Sequence, residues 1–526
     1  MAGTAQAEIA RATRDTVGDA LRRAARRFRG RTALRFGPRR WSFADLDRAA
    51  DRVARALLGA GLSRGDRVVA YGRNSDGYLL LWLGCARTGL VHVPANYALT
   101  ATELAYILGQ CGARALFHDP ALTAAAEQGT PLRGTLAEGA GALDALAAAL
   151  DPALDRPGEA PPDDGLADAD LVQIIYTSGT TGAPKGAMMT HRAYLAEYAG
   201  AAEALDYGAG DRALAALPLY HTAQMHAFTM PQLLVGAETL LIEAPEPARV
   251  LALIEAERIT SFFAPPTAWI ALLRHPEFGA RDLSSLRRVY YGAAIMPVPV
   301  LQELRARLPD ARPYNCYGQS EIAPLATVLR PEEHEARPAS VGRPVSTVET
   351  RIVDAAMRDV PPGERGEIVH RSPQLLVGYW GRPDETEAAF EGGWFHSGDV
   401  GTMDAEGYIT IVDRTKDVIN TGGVLVASRE VEDAILTHPA VSECAVVGLP
   451  DPRWVEAVTA VVVLRPGHSA GEAELVEHAR PILAAFKLPK RVILADSLPR
   501  NTAGKLLKRE LRAAYGGRAE ALPGVS

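Results

Sequence analysis

The strongest constraint on the fold is a regular alternation of helix-like and strand-like segments in the first quarter of the chain. From Ser42 onward, apolar residues recur at helical spacing, Ser42 and Asp45 suit a capping box, and a strand-like run follows at 67–71. Strands that alternate with helices indicate a parallel sheet covered by helices. The pattern then returns in helix-like and strand-like runs at 78–88, 90–93, 101–111 and 114–118.

The chain has 526 residues, which is too long for one ordinary core, and its pattern changes along the way. Residues 134–170 turn Ala- and Gly-rich and then Asp- and Pro-rich, which predicts a surface helix and a linker. Alternating elements resume over 171–308, and short strands with turn signals over 348–412 predict a small β-rich subdomain. A separate domain of about 110 residues is expected after Asp413. Its predicted elements are helices at 428–437, 471–486 and 506–515 and strands at 443–448, 457–464 and 491–495.

Charge and cysteine usage argue against several classes of function. The formal net charge of −7 gives no basic excess for a polyanion, so nucleic acid is not expected as a partner. Cys85, Cys111, Cys316 and Cys444 lie far apart, which argues against a disulfide framework, a zinc site or a redox pair. Residues 1–18 lack the apolar core of a signal peptide, and no run reaches the roughly 18 apolar residues of a membrane span. A cytoplasmic protein is expected.

The segment from Tyr176 to Gly186, which reads Tyr-Thr-Ser-Gly-Thr-Thr-Gly-Ala-Pro-Lys-Gly, follows the apolar run 171–175. Backbone N–H groups at its glycines and four hydroxyls can donate to phosphate oxygens, and Lys185 adds a positive charge. This is the pattern of a phosphate loop, although not the Walker pattern, because Lys185 is followed by glycine. The alternative is a flexible linker, which would need neither the lysine nor the preceding strand.

The segment Tyr317-Gly-Gln-Ser-Glu321 places an aromatic ring, a hydroxyl and a carboxylate within five residues. The ring can stack on a purine, Ser320 can reach a phosphate, and Glu321 can hold Mg²⁺ beside it. The segment is also a near miss to a hydrolase elbow, with Ile322 where the last glycine should stand. A surface turn remains the alternative.

Two further segments carry charged residues next to predicted turns. Asp399 ends Trp-Phe-His-Ser-Gly-Asp, and Arg414 follows a strand-like run, so that the two could hold a ribose diol or could simply pair with each other. Lys505 ends Pro-Arg-Asn-Thr-Ala-Gly-Lys in a glycine-containing turn, where a lone lysine is usually solvated.

Taken together and in this order, the segments resemble the adenylate-forming superfamily, which includes acyl-CoA synthetases, aryl-CoA ligases, luciferases and the adenylation domains of peptide synthetases. The resemblance covers nearly the whole chain and is closest in pattern to fatty-acyl- and aryl-CoA synthetases. The motifs that carry it are the phosphate loop at Tyr176, Pro218-Leu-Tyr-His221, Gly292-Ala-Ala294, Tyr317 to Glu321, Ser397-Gly-Asp399, Arg414 to Asp417 and Gly504-Lys505.

The resemblance implies an α/β fold with a large N-terminal domain and a small mobile α+β C-terminal domain. The N-terminal domain, residues 1–413, would contain two α/β sheet subdomains and the small β-rich subdomain. Residues 414–417 would form a hinge around Lys416, and residues 418–526 would form a lid domain that carries Lys505. A homodimer is left open.

The implied chemistry is the ATP-dependent conversion of a carboxylic acid to acyl-AMP with release of pyrophosphate, followed by thioester formation with coenzyme A. A carboxylate is a poor acyl electrophile because its leaving group would be oxide, and ATP supplies AMP as the leaving group instead. An anion must approach the α-phosphate of a polyanion, so catalysis rests on positioning and positive charge. The resemblance makes Lys505, Glu321 and Thr177 the catalytic residues.

The same resemblance assigns the nucleotide site. Lys505 would bridge the substrate carboxylate and the α-phosphate, Glu321 would bind Mg²⁺, and Tyr317 would stack on adenine. The β- and γ-phosphates would be cradled by Thr177, Ser178, Gly179, Thr180, Thr181, Gly182 and Lys185. Asp399 and Arg414 would hold the ribose, and the remaining residues of the ATP/AMP site would be Gly292, Ala293, Ala294, Asn315, Tyr317, Gly318 and Ser320.

The acyl site is assigned less fully. His221 resembles the gate between the acyl pocket and the thiol tunnel, with a buried core histidine as the alternative. The residues after His221 lack the Asp that pairs with the ammonium of amino-acid substrates, so an acid without an α-amine is expected. The predicted acyl-site residues are His221, Met225, Gly292, Ala293 and Gln319. Apolar candidates, which could equally be ordinary core, are Met225, Phe228, Phe263, Trp269 and Ile295; they suggest a hydrophobic aliphatic, aryl or polycyclic acid.

The sequence departs from the family pattern in two places. Ala293 and Ile295 stand where the family often has Gly and Pro, which reshapes the acyl pocket. After the hinge, the usual Asn and Pro are Leu425 and Ser428, in the run Gly-Gly-Val-Leu-Val-Ala-Ser. That loop lines the pantetheine path in the thiol-transfer conformation, so the second half-reaction is open, and Val424 and Leu425 could also merely repack the loop.

Three alternatives therefore accompany the acyl-CoA synthetase hypothesis. The acyl-AMP could be passed to a carrier protein or to a partner enzyme that completes the thioester. A light-emitting oxygenase is also possible on this fold. A non-catalytic nucleotide-binding regulator would not need the full set of charged residues, namely Lys185, Glu321, Asp399, Arg414 and Lys505.

Overall fold

The computed structural model describes residues 8–10, 12–123, 126, 132–136, 165–177, 184–294, 296–414, 417–421, 424–500 and 506–516, without the side chains of Arg414 and Leu425. No helix in these residues is both long and apolar enough to cross a membrane. The predicted surface helix and linker at 134–170 fall mostly outside them. The described part of that stretch begins with the end of a strand, at Thr135.

The strands of the two large sheets come first in the chain. They are β1 (Thr32–Phe36), β2 (Arg39–Ser42), β3 (Arg67–Tyr71), β4 (Val91–Ala95), β5 (Ala115–His118), β6 (Leu132–Thr135), β7 (Leu171–Thr177), β8 (Lys185–Thr190), β9 (Arg212–Ala215), β10 (Glu238–Leu241), β11 (Ser261–Ala264), β12 (Arg288–Gly292), β13 (Arg312–Tyr317), β14 (Thr327–Leu329) and β15 (Arg343–Pro344).

The first sheet has the order β6-β5-β3-β4-β7-β8, and the second has the order β15-β14-β13-β12-β11-β9-β10-β1-β2. Within the first sheet only the β7–β8 pair is antiparallel. In the second sheet, β1 and β9 to β13 are all parallel. Antiparallel strands form both edges: β2 at one, and β14 and β15 at the other. Two parallel-centred sheets covered by helices confirm the α/β prediction for this part of the chain.

Helices cover these sheets, and the predicted capping box is confirmed at one of them. The backbone N–H of Asp45 donates to the Ser42 hydroxyl at 3.1 Å, and the Ser42 N–H donates to the Asp45 carboxylate at 3.2 Å. The helices are α1 (Val17–Arg27), α2 (Phe43–Gly59), α3 (Asp76–Thr88), α4 (Ala101–Cys111), α5 (His191–Ala204), α6 (Met230–Leu234), α7 (Pro247–Ala256), α8 (Pro266–Arg274), α9 (Val298–Arg307) and α10 (Pro383–Ala389), with a π-helical turn at Ala223–Thr229.

A small antiparallel sheet follows, as the sequence predicts for this β-rich stretch. Its strands are β16 (Glu349–Val353), β17 (Gly366–Arg371), β18 (Phe395–Met403) and β19 (Ile409–Arg414), paired in chain order. β18 and β19 bring Asp399 and Arg414 directly opposite each other across the ladder. The last residue pair of the β18–β19 ladder is therefore formed by the two residues that the sequence assigns to the ribose.

The last part of the chain builds its own sheet and core. The strands are β20 (Ile419–Thr421), β21 (Val424–Val426), β22 (Val441–Asp451), β23 (Val455–Leu464) and β24 (Arg491–Leu494), and the helices are α11 (Ser428–Leu436), α12 (Glu472–Ala479) and α13 (Lys508–Tyr515). Apolar residues from this part form a cluster of their own, which includes the buried Val431 of α11, Val458 of β23 and Leu475 of α12.

One helix prediction in this part is wrong in length. The sequence pattern predicts a helix over 471–486, but α12 ends at Ala479. Arg480 still has helical backbone angles, but Pro481 has no backbone N–H with which to continue the hydrogen-bond pattern of the helix. A short 3₁₀ turn at Ala485–Lys487 follows instead.

Candidate active site

The phosphate-loop motif is the tip of the β7–β8 hairpin. Thr177 pairs with Lys185 and Tyr176 pairs with Gly186 across the antiparallel ladder, so the strand that enters the loop and the strand that leaves it are held side by side. The two ends of the loop are thus fixed by backbone hydrogen bonds. Five predicted phosphate-binding residues lie outside the described residues: Ser178, Gly179, Thr180, Thr181 and Gly182.

Helix α4 braces the base of this hairpin. The Tyr106 hydroxyl donates to the carbonyl of Pro184 at 3.2 Å, and the Tyr176 hydroxyl donates to the side-chain oxygen of Gln110. The Gln110 amide also donates to the carbonyl of Trp380 at 2.9 Å, which ties in a distant segment of the chain. These contacts hold the predicted phosphate loop on a rigid support.

Glu321 is hydrogen-bonded to the β7–β8 hairpin and to Tyr379, which lies beside it. Its Oε1 accepts hydrogen bonds from the Thr177 hydroxyl at 3.1 Å and from the Tyr379 hydroxyl at 3.3 Å. The Lys185 Nζ lies 5.3 Å from the centre of the Tyr379 ring, within the range of a cation–π interaction. The structure therefore brings together Thr177, Lys185 and Glu321, which two separate motifs supply.

A magnesium ion fits this arrangement only with help from a substrate. Among the described residues, no group of three or more His, Cys, Asp or Glu side chains could hold a metal ion. Mg²⁺ commonly takes one or two carboxylates and completes its shell with water and phosphate oxygens. Glu321, flanked by hydroxyls next to the predicted phosphate loop, matches that donor set.

The predicted adenine side lies at the carboxyl ends of β12 and β13. Gly292 ends β12 and pairs with Cys316, one residue before Tyr317. A Cβ atom at Gly292 would lie 2.2 Å from the Cys316 carbonyl oxygen, so no other residue fits there. Ligands of open α/β sheets bind outside the carboxyl ends of the strands, which is where these residues stand.

The residues around this strand end have distinct environments. Ala293 has a φ of +62°, a left-handed conformation that is uncommon for a residue with a side chain, and both it and Ala294 are exposed. Asn315 is buried, and its side-chain N–H donates to the carbonyl of Ser340 at 2.9 Å. Gly318, at φ +157°, has the Pro324 carbonyl oxygen 1.9 Å from the position of a Cβ, which excludes any side chain.

The predicted ribose residues are linked to the adenine motif. The Tyr317 hydroxyl donates to Asp399 Oδ2 at 2.8 Å, and the Asp399 carboxylate is almost fully buried. Arg414 is the cross-strand neighbour of Asp399, although its side chain lies outside the described residues. The Tyr317 phenol thus fixes the carboxylate that the sequence assigns to the sugar.

The segment that carries His221 is hydrogen-bonded to the Tyr317–Glu321 motif and to the loop that follows β3. The hydroxyls of Thr222 and Ser320 are 2.9 Å apart, which joins this segment to the Tyr317–Glu321 motif. Asn74, just after β3, donates to the carbonyl of Leu217 at 2.8 Å and accepts from the N–H of Leu219 at 2.7 Å. His221 itself is half-buried, with its ring 5.6 Å from that of Tyr220.

Most of the apolar acyl-pocket candidates pack as core. The rings of Phe228 and Phe263 stack at 3.9 Å, both buried, and the Trp269 indole donates to the carbonyl of Tyr290 at 3.0 Å. Met225 is also buried, within the π-helical turn that follows His221. The core alternative therefore describes these four residues, and Ile295 lies outside the described residues.

Gln319 differs from these residues because it keeps an unused donor. Its side-chain nitrogen is shielded from solvent and has no hydrogen-bond partner among the described residues. A buried N–H group without an acceptor costs about 1–3 kcal/mol. Gln319 lies between Tyr317 and Glu321 in sequence, so a bound substrate could supply the acceptor.

Two residues with central roles in the hypothesis, Lys416 and Lys505, lie outside the described residues. After the hinge, Val424 is an exposed residue of β21, and Ser428 is the buried first residue of α11. The Ser428 N–H and hydroxyl both donate to the Asp413 carboxylate. Of the two substituted positions in this loop, Ser428 is thus buried and hydrogen-bonded, whereas the side chain of Leu425 lies outside the described residues.

Sequence reasoning missed Tyr379 and Asn74. Tyr379 belongs to Val-Gly-Tyr-Trp-Gly, which carries no charge and no spacing typical of a phosphate site. Asn74 sits in a short loop after a buried strand, where an Asn is an ordinary turn residue. Only the packing of distant segments reveals their contacts with the site.

Comparisons with known proteins agree with these motifs. A family model described as "AMP-binding enzyme" matches residues 21–380, and one described as "AMP-binding enzyme C-terminal domain" matches residues 430–505. A feruloyl-CoA synthase from Amycolatopsis sp is 40% identical over 490 residues, which cover 92% of this chain and 96% of that protein.

Two further comparisons extend this likeness. The fatty acid–[acyl-carrier-protein] ligase ScoC from Streptomyces coeruleorubidus is 36% identical over 485 residues, covering 90% of this chain and 92% of that protein. The crystal structure of the anthranilate CoA ligase AuaEII in complex with anthranoyl-AMP superposes with a TM-score of 0.88 at 27% identity, covering 95% of this chain and 97% of that one.

Proposed function

The chain belongs to the family of AMP-binding enzymes, and from this premise we propose that it activates a hydrophobic carboxylic acid without an α-amine. Its activity is that of an acid–thiol ligase: ATP and the acid give acyl-AMP and pyrophosphate, and coenzyme A then displaces AMP to give the thioester. Aryl and arylalkenoic acids are the first candidates, because the feruloyl-CoA synthase relative covers nearly the whole chain.

The observation that carries the proposal is the hydrogen bond between Thr177 and Glu321, at 3.1 Å. These residues are 144 positions apart, and each belongs to a motif that suits one part of a bound nucleotide. Thr177 opens the phosphate loop, and Glu321 supplies the carboxylate. Their contact supports one site for the triphosphate rather than two unrelated features.

In the proposed first step, this chain's residues hold the two reactants while the substrate carboxylate attacks the α-phosphorus and the bond to pyrophosphate breaks. Lys185 and the loop donors around Thr177 neutralise the departing pyrophosphate. Mg²⁺ bound through Glu321 would add positive charge beside the phosphates. Lys505 would bridge the substrate carboxylate and the α-phosphate as the charge moves between them.

The proposed nucleoside site uses the neighbouring strand ends. Tyr317 stacks on adenine, and its hydroxyl keeps the Asp399 carboxylate aimed at the ribose hydroxyls. A carboxylate accepts hydrogen bonds from both hydroxyls of a ribose diol. Gly292 lets the adenine approach the backbone of β12, where a side chain would collide with Cys316.

The substrate class follows from the acyl side of the site. No Asp follows His221 to pair with an α-ammonium group, and the Gln319 amide is a shielded donor that a substrate oxygen could satisfy. Because Phe228, Phe263 and Trp269 are packed in the core, the lining comes from the His221 segment and from Gly292 to Ala294. We propose a cytoplasmic enzyme, where ATP and coenzyme A are at hand.

A panel of acids tests this function. The full-length protein is incubated with ATP, Mg²⁺ and ferulic, indoleacetic, anthranilic, octanoic or palmitic acid, or with phenylalanine, and acyl-AMP and acyl-CoA are measured by mass spectrometry. We expect acid-dependent pyrophosphate release with one of the five acids without an α-amine and none with phenylalanine. Activity with phenylalanine alone would refute the proposed substrate class.

A second candidate is transfer of the acyl group to a carrier protein. The ScoC relative is named as a ligase of that kind, and the post-hinge loop of this chain has Leu425 and Ser428 where the family pattern has Asn and Pro. The same panel with holo acyl carrier protein in place of coenzyme A distinguishes transfer to a carrier protein from transfer to coenzyme A. Rapid acyl-AMP formation with thioester only on the carrier would favour this candidate.

A further inference from the structure

The hinge region contains a buried contact that joins the strand before the hinge to the first helix after it. Asp413 lies in β19, next to the predicted hinge, and Ser428 begins α11 in the C-terminal part. Asp413 Oδ2 accepts hydrogen bonds from the Ser428 N–H at 2.7 Å and from the Ser428 hydroxyl at 2.8 Å. Both side chains are buried, at 6% and 0% exposure. A buried carboxylate needs such donors, so breaking the contact is costly.

This contact depends on a residue that sets the chain apart. Proline, which the family pattern has at this position, has neither a backbone N–H nor a hydroxyl, so it could make neither hydrogen bond. Serine supplies both donors from one position. The departure at Ser428 therefore adds a link across the hinge rather than merely reshaping the loop.

Lys508 reinforces the link from within the C-terminal part. Its Nζ donates to the Ser428 hydroxyl oxygen at 2.5 Å and forms an ion pair with Glu432 at 2.7 Å. Burial lowers the pKa of Lys508, but the charges of Glu432 and Asp413 outweigh this effect and raise the pKa above its ordinary value. Lys508 is therefore charged, and the Ser428 hydroxyl accepts from it while donating to Asp413.

In the domain orientation that this link holds, a charge of α13 acts on α4, the helix that supports the base of the phosphate loop. Arg509, four residues after Lys505, lies near Glu103 of α4: hydrogen bonds from Thr100 lower the pKa of Glu103, and the charge of Arg509 lowers it further. The same helix holds the loop base through Tyr106 and Pro184. The charge of Arg509 thus acts on the helix that supports the phosphate loop, on the side of the site where adenylate formation would need Lys505.

We propose that Ser428 is a positioning residue that holds the C-terminal domain, through Asp413, in the orientation for adenylate formation. The inference rests on the proposed function, because it concerns the balance between the two half-reactions. Releasing the link disfavours acyl-AMP formation and leaves thioester formation intact. A role in local stability alone would affect both half-reactions equally.

The link itself is tested without any substrate, by limited trypsin digestion of the full-length protein. Cleavage after Arg414 is followed by intact mass, since Arg414 is the last residue of β19 and the chain must leave that strand before trypsin can cut. Ser428→Ala removes one donor, and Ser428→Pro removes both while placing proline at the first helical position, where it is tolerated. The matched control is Ser469→Ala, at an exposed position of the same domain.

We expect cleavage to accelerate about tenfold in Ser428→Ala and further in Ser428→Pro, because hydrogen bonds to a charged group contribute about 1.5–3 kcal/mol. Ser469→Ala should be cut at the wild-type rate. If Ser428→Ala and Ser428→Pro are both cut at that rate, the link does not hold the domains and the proposal is overturned.

The second arm measures each half-reaction alone with ferulic acid as the probe. Pyrophosphate release from ATP and ferulic acid reports adenylation, and feruloyl-CoA formation from synthetic feruloyl-AMP and coenzyme A reports thiol transfer. Ser428→Pro should slow the first about tenfold or more and leave the second at or above the wild-type rate. Equal losses in both would show a merely structural role. If the wild-type protein uses another acid of the panel instead, the same two rates are measured with that acid and its synthetic adenylate. If it uses none of them, the proposed function fails while the digestion still decides the link.

Discussion

The Tyr379 hydroxyl donates a hydrogen bond to Glu321 at 3.3 Å, while the Tyr379 ring lies 5.3 Å from the Lys185 ammonium. One side chain thus contacts both charged groups of the proposed triphosphate site through two different parts of its structure. Burial and the neighbouring Glu321 raise the pKa of Tyr379, so the phenol stays protonated and remains a donor. The two contacts can be removed one at a time.

Tyr379→Phe keeps the ring and removes only the hydrogen bond to Glu321. We expect pyrophosphate release to fall roughly fivefold to tenfold, with a higher Mg²⁺ concentration at half-saturation and an unchanged KM for ATP, because one hydrogen bond contributes about 1 kcal/mol or slightly more. Tyr379→Leu also removes the ring face beside Lys185 and should raise the KM for ATP as well. Tyr515→Phe, in α13, is the control. Identical kinetics for Tyr379→Phe and Tyr379→Leu would contradict the separate roles of the Tyr379 hydroxyl and ring.

Asp399 is expected to bind ATP rather than to take part in the chemistry. Asp399→Asn should raise the KM for ATP about tenfold and change kcat little, because a charge-assisted hydrogen bond to the ribose is replaced by a neutral one. Asp384→Asn, at an exposed position of α10, is the control. Steady-state pyrophosphate release over a range of ATP concentrations measures both constants, and a fall in kcat alone would argue against the ribose assignment.

Gly292 gives a steric prediction. In Gly292→Ala the new methyl group would lie 2.2 Å from the Cys316 carbonyl oxygen, which belongs to the backbone of a central strand and cannot move cheaply. We expect a loss of about 1–3 kcal/mol in the free energy of unfolding, together with weaker ATP binding. Gly30→Ala, where nothing lies within 4 Å of the new Cβ, is the control. Urea denaturation of the two variants should separate them clearly.

The sequence predicts the local elements and the site motifs, but not the contacts between distant segments. The capping box at Ser42 and Asp45 and the alternation of helices and strands follow from short-range rules, and the structure confirms them. The parallel pairing of β1 with β10 joins segments that are about 200 residues apart in sequence, and no local pattern predicts it.

The same limit applies within the site. Thr177 and Glu321 could be identified because glycine loops and carboxylates have recognisable chemistry, whereas Tyr379 acts only through the groups it touches. The apolar candidates illustrate the converse problem: Phe228 and Trp269 are hydrophobic and close in sequence to the motifs, yet they pack in the core. Hydrophobicity reports burial and does not distinguish a pocket wall from the core beneath it.

Lys505 provides the test of the catalytic proposal. Lys505→Ala should leave ATP binding nearly unchanged and slow adenylate formation by about 10²-fold or more, as the loss of one electrostatic stabiliser does in other enzymes. ATP binding is measured by titration calorimetry, and adenylation by pyrophosphate release in the absence of coenzyme A. Wild-type rates of pyrophosphate release in this variant would exclude the role. Lys490→Ala, also in the C-terminal part of the chain, serves as the control for removal of a lysine.

The last prediction concerns pH, and His191 carries it. His191 is the first residue of α5 and is fully buried; its Nδ1 accepts the N–H of Val17 at 3.3 Å, and its Nε2 has no partner among the described residues. Burial lowers the pKa of His191 from 6.5 to about 4. The folded protein therefore holds this ring neutral, while the unfolded chain binds a proton below pH 6.5. Protonation of His191 should therefore lower the free energy of unfolding. The loss should be absent above pH 6.5, grow as the pH falls, and level off below pH 4 at a value on the order of 3 kcal/mol.

His191→Asn isolates this contribution, because the Asn side-chain oxygen can still accept the Val17 N–H but cannot bind a proton. At pH 7.5 the variant should be less stable than the wild type or equal to it, since the imidazole is neutral there and packs better. Between pH 6.5 and pH 5 the wild type should lose about 2 kcal/mol more than the variant, which reflects 1.5 pH units of linked protonation at about 1.4 kcal/mol each. Urea denaturation at pH 7.5, 6.5 and 5.0 measures the difference. Parallel stability curves for the two proteins would mean that His191 binds a proton as readily in the folded state as in the unfolded chain, which would contradict the prediction.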